Sequence, residues 1–143
     1  MVNTVPEAEE RIVVDYYEKI TGTEIDRGYF EMVLAEDGGG KLTLKVYSQK
    51  SADDEETVTV YTVPEDSVEK ALQIIEKHKM KKWNSLKNFD ALDGKVMVVR
   101  FDNGGEQVRV SSEHMPAEGG TKAFGELKAY LSKLIDDKNR TSE

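Results

Sequence analysis

Two glycine-centred turns, each set between runs of alternating residues, constrain this chain more than any other feature. Lys41 to Tyr47 sets Leu42, Leu44 and Val46 against Lys41, Thr43 and Lys45, the period-two pattern of a strand with one buried face. Gly28 to Glu36 precedes it as a second strand, with Tyr29, Phe30, Met32 and Leu34 as its large apolar residues. Asp37-Gly38-Gly39-Gly40 joins the two, and its glycines reach positive φ without steric cost. Lys95 to Phe101 and Glu106 to Ser112 repeat the arrangement around Asp102-Asn103-Gly104-Gly105. Each pair reads as a β-hairpin.

The segments between the hairpins fill in the architecture. Thr57 to Val63 alternates and stops at Pro64. Arg11 to Ile20 is ambiguous: Ile12, Val13, Tyr16, Tyr17 and Ile20 fit a helix face, whereas its β-branched and aromatic content favours a strand. The strand is preferred, because Thr21-Gly22-Thr23 follows as a turn. Glu65 to Lys82 is the clearest helix, with Val68, Ala71, Leu72, Ile75 and Lys79 on one stripe. Its acids sit at the start and its lysines at the end, as the helix dipole favours. Trp83 to Asp93 is expected to be a loop whose Trp83, Leu86 and Phe89 fold back on the core. Thr121 to Asp136 is the last helix, with Phe124, Leu127, Leu131, Leu134 and Ile135 on its stripe. The order β-β-β-β-α-β-β-α predicts an α+β fold: an antiparallel sheet of about six strands with two helices packed on one face.

Length and composition narrow the classes. A chain of 143 residues fits one domain, with an ordered core over about 11–136 and polar arms at 1–10 and 137–143. The absence of cysteine excludes disulfides, thiol nucleophiles and thiolate zinc sites. Twenty Lys and Arg against 28 Asp and Glu give a net charge of −8, which disfavours nucleic acid as a partner. Residues 1–7 carry neither a basic n-region nor an apolar h-region, and no run approaches the ~18 apolar residues of a membrane span. The expected location is cytoplasmic; a leader removed from the chain stays open.

Candidate chemistry is sparse. Asp53, Asp54, Glu55 and Glu56 are consecutive, so they point apart rather than converge as a calcium loop does. Asn88, Asp90 and Asp93-Gly94 come nearer to such a loop but no Glu closes it. His78 and His114 have no partner at metal-ligand spacing. Glu118-Gly119-Gly120-Thr121-Lys122 opens a helix but lacks the phosphate-loop spacing. Ser111 and His114 lack a nucleophile elbow. Lys77, His78, Lys79, Lys81 and Lys82, followed by Trp83, form the one basic patch; an anion or membrane-surface contact with Trp83 as anchor competes with a dipole-matched helix end, and the latter is preferred.

No catalytic residue, cofactor or metal ligand is therefore assigned. The preferred reading is a non-catalytic binding or protein-interaction module, contacting a protein or small ligand through a sheet face or loop. Tyr16, Tyr17, Tyr29, Tyr47 and Tyr61 all fall on expected strands, and alternation cannot bury all five, so some are expected to form an exposed aromatic patch. The alternative is a small carboxylate-based enzyme with a cleft near Asp90, Asp93 and Glu113. Oligomeric state is left open.

From about residue 60 to 135 the order is an amphipathic helix, Trp83, a loop closing in Leu92-Asp93-Gly94, two strands around Asp102-Asn103-Gly104-Gly105, then Met115-Pro116 and a terminal helix. This resembles a group of uncharacterised bacterial α+β domains from Firmicutes, some of them in exported or lipid-anchored proteins. The resemblance implies no activity and no site residue.

Overall fold

A computed structural model describes residues 11–20, 28–37, 41–49, 55–85, 95–112 and 119–135. Six strands form one antiparallel sheet: β1 (Arg11–Ile20), β2 (Tyr29–Glu36), β3 (Leu42–Gln49), β4 (Thr57–Thr62), β5 (Lys95–Asn103) and β6 (Glu106–Ser111). Their spatial order is β4-β3-β2-β1-β5-β6. Two helices, α1 (Ser67–Lys77) and α2 (Gly120–Lys133), complete the α+β fold. Arg11–Ile20 is a strand, and it is central, paired with β2 on one side and β5 on the other.

Alternation sorts the sheet into two faces. On the first, Val14, Tyr16, Met32, Leu34, Leu44, Tyr61, Val99, Phe101 and Val110 join Ala71 and Ile75 of α1 and Phe124, Leu127 and Leu131 of α2 in one buried cluster. Both helices therefore cover the same face. Val13, next to Val14, is also fully buried in that cluster, because the β1–β2 register shifts between Ile12 and Val14. A bulge there lets two consecutive valines reach one core.

The first helix is shorter than its periodicity predicts. It ends at Lys77, and the residues after it make a 3-10 turn over Met80–Ser85. Between them Lys79 adopts φ 53, the left-handed conformation that terminates helices. Its N–H bonds to Glu76 O at 3.0 Å. The break turns Lys79 off the apolar stripe into solvent and drives Met80 and Trp83, three residues apart, into the core. Trp83 thus belongs to this turn rather than to a loop. It is 3% exposed, meets Phe124 edge-on at 5.4 Å and donates its indole N–H to His78 O at 3.2 Å. Leu86 and Phe89 lie outside the described residues. Among those described, no helix is long and apolar enough to cross a membrane.

Candidate functional site

The second face of the sheet carries the polar residues that the strand pattern leaves over. Register sets Asp15 beside both Val33 and Arg100, Tyr17 beside Glu31 and Val98, and Tyr47 beside Glu31 and Val58. On the far side, Arg109 stands opposite Arg100. Six of these residues, Asp15, Tyr17, Glu31, Val98, Arg100 and Arg109, line a depression of about 320 Å³.

Asp15 is the anchor. It is only 2% exposed although it is an acid in mid-strand, and a buried carboxylate is tolerated only when paired. Arg100 supplies the pairing: its Nε donates to Asp15 Oδ2 at 2.9 Å and its Nη2 donates to the same oxygen. The guanidinium also comes within 3.9 Å of Glu31 Oε2. Burial, above all, and then the hydrogen bond to Asp15 and its negative charge push the Glu31 carboxyl up to about 8, against the pull of Arg100. The shift favours the protonated carboxyl over the charged one. Burial, then the charge of Glu31, also raises the Tyr17 phenol.

Around this pair the face is aromatic and basic. Tyr17 and Tyr29 have ring centroids 5.9 Å apart, and both, like Tyr47, are half-buried. Val58, on the edge strand beside Tyr47, is 49% exposed. Lys19 and Lys45 lie on the same face as Arg100 and Arg109 by strand alternation. Four cations therefore share this face with two carboxylates, Asp15 and Glu31. Arg100 and Arg109 face each other directly across β5 and β6, a like-charged pairing that disfavours the ladder unless anions stand near.

The five strand tyrosines divide cleanly. Tyr16 and Tyr61 are buried on the helix face, whereas Tyr17, Tyr29 and Tyr47 belong to the second face. Tyr16 donates its hydroxyl to Glu18 Oε1 at 2.8 Å, and burial raises its phenol well above the ordinary range. The carboxylates proposed for a catalytic cleft, Asp90, Asp93 and Glu113, lie outside the described residues, as do Asp53, Asp54, Asn88, His114 and Glu118. His78 is placed: its Nε2 is 2.8 Å from Glu126 Oε1, and Lys77 Nζ is 3.1 Å from Glu126 Oε2, a tie between α1 and α2. The Asp15–Glu31 pair was not singled out from the sequence. Alternation around Val14 and Tyr16 turns Asp15 to the second face, and no local pattern says that it is buried there.

No protein-family model matches the chain, and no curated protein matches it.

Proposed function

We propose that the protein is a non-catalytic binding module, that its contact surface is the second sheet face, and that its partner is an acidic segment of another protein. One observation carries this reading: on a chain of net charge −8, this face gathers Lys19, Lys45, Arg100 and Arg109 among three half-buried tyrosines. Tyrosine and arginine are the residues that dominate protein contacts. The basic face supplies electrostatic complementarity to carboxylates, and the acidic remainder of the chain steers such a segment to this side. A nucleic acid fits less well, since a long polyanion must also approach the acidic remainder.

Binding rather than catalysis is favoured by the state of the two acids. Asp15 Oδ2 accepts both bonds from Arg100, and its Oδ1 is sealed from solvent. That leaves Glu31 without a second accessible acid to share an acid–base step.

The test is an amide-shift titration with a synthetic peptide of alternating Glu and Val. Shifts confined to β1, β2, β3, β5 and β6, screened out by high salt and lost in the Lys45→Gln/Arg109→Gln double variant, are the expected result. Shifts elsewhere, or none, would overturn the reading, as would tighter binding of a single-stranded oligonucleotide at the same face.

A further inference from the structure

A second depression, of about 450 Å³, lies on the helix layer between the end of α1, the 3-10 turn and the β5–β6 turn. Its volume is that of a small-molecule site. Leu72 and Ile75 of α1 give it an apolar wall, and Lys79, Lys81 and Lys82 line its rim. Two acids also reach it, Glu76 and Asp102. Asp102 is already compensated: it accepts a bond from the Arg11 guanidinium and one from Gly105 N, and the Arg11 bond first, then the Gly105 N–H, hold its carboxyl below the usual range. Lys79 and Lys81 therefore stand on a rim that holds one uncompensated carboxylate among the described residues, Glu76.

Lys79 reaches this rim through the helix break. It is the only non-glycine residue at positive φ among those described, and it occupies the position after a helix where glycine is the unstrained choice. Its side chain leaves the apolar stripe and borders the depression, and neither Lys79 nor Lys81 pairs with an acid among the described residues.

From these features we infer a binding site for a small organic anion, a phosphate or carboxylate carried on an apolar group. The anionic end sits among Lys79 and Lys81, and the apolar end lies on Leu72 and Ile75. The site is separate from the second sheet face, so either can fail without the other. Trp83 is no anchor for this ligand, because its ring is committed to Phe124 in the core.

Hexyl phosphate, inorganic phosphate and hexanol, each titrated into the full chain and followed by amide shifts, separate the contributions. Hexyl phosphate is expected to bind saturably and at least about tenfold tighter than inorganic phosphate, from the apolar area it buries. Its shifts should fall at 72–82 and 102–105. Lys81→Gln is expected to weaken it about threefold. Lys79→Gly should weaken it similarly while leaving Tm unchanged or higher, since glycine relieves the left-handed backbone. Phosphate binding as tightly as hexyl phosphate, hexanol binding as tightly as either, or wild-type affinity in Lys79→Gly and Lys81→Gln would overturn the site. Vesicles of phosphatidic acid, run beside hexyl phosphate, tell a lipid source from a free one: cosedimentation lost in Lys81→Gln assigns the anion to a membrane lipid, and no cosedimentation assigns it to a soluble molecule.

Discussion

Arg100 donates two hydrogen bonds to a single oxygen of Asp15, Oδ2, and the other oxygen, Oδ1, is buried without a partner. Glu31 stands beside the pair, its Oε2 3.9 Å from the Arg100 guanidinium, and burial first, then Asp15, raises its carboxyl. The three groups act as one unit laid across β1, β2 and β5. Replacing Arg100 with Met removes the counter-ion of a buried carboxylate and is expected to cost about 2–3 kcal/mol in urea unfolding. Asp15→Val combined with Arg100→Met should restore most of that loss, because an apolar pair needs no counter-ion. Additive costs in the double variant would show that the two residues are not coupled.

Glu31 gives the unit a pH dependence. Its carboxyl titrates near 8 when folded and near an ordinary ~4.3 when unfolded. Between those values the folded chain binds the extra proton, so its stability falls as pH rises from about 4.3 through 8 and then levels. Charged or titratable neighbours on this face are Asp15, Tyr17 and Lys19 from β1, Tyr29 from β2, Lys45 and Tyr47 from β3, Arg100 from β5 and Arg109 from β6. Glu31→Gln should flatten that slope and gain on the order of 1–2 kcal/mol at pH 9, after allowance for screening at a partly exposed site. Unfolding curves at pH 5, 7 and 9 for both chains check this. A wild-type slope retained in Glu31→Gln would assign the dependence to another group.

The hairpins, the helix count and the single helix-covered face were legible in the sequence because each depends on local period: two in Leu42-Thr43-Leu44-Lys45-Val46, about 3.6 in Phe124, Leu127 and Leu131. The Asp15–Arg100 pair was not legible. It depends on which residue of β5 lies beside β1, a register between positions 85 apart in the chain, and no local pattern encodes that. The helix end failed for a different reason. Lys79 continues the apolar spacing of Ala71, Leu72 and Ile75 through its aliphatic stem, and lysine carries no warning of a left-handed backbone. The break followed from packing: Met80 and Trp83 gain more by burial than one further helical turn would give.

Trp83 is the sole tryptophan, which makes the packing of the 3-10 turn against α2 readable by fluorescence. With 3% of its surface exposed and its ring against Phe124, native emission should lie well to the blue of the unfolded chain. Trp83→Ala is expected to lose about 3–5 kcal/mol, the range for truncating a buried aromatic. Native emission at the position of free tryptophan would contradict the burial.

The β5–β6 turn isolates the cost of backbone conformation from that of packing. Gly104 and Gly105 stand at φ 67 and φ 97 between Asn103 and Glu106, the pair of positive angles that a two-residue type I′ turn requires. A Cβ at either position would meet nothing within 4 Å, so a substitution there changes backbone energy alone. Asn tolerates the left-handed region, and Gly104→Asn should be nearly neutral in Tm. Gly105→Val should cost about 1–2 kcal/mol, the penalty for holding a β-branched residue at positive φ. The Asp102 Oδ1 bond to Gly105 N holds the second residue in place, so Asp102→Ala is expected to add to the effect of Gly104→Asn but not to that of Gly105→Val, where the turn is already displaced. Equal costs for Asn and Val at their respective positions would mean that the turn relaxes to another type on substitution.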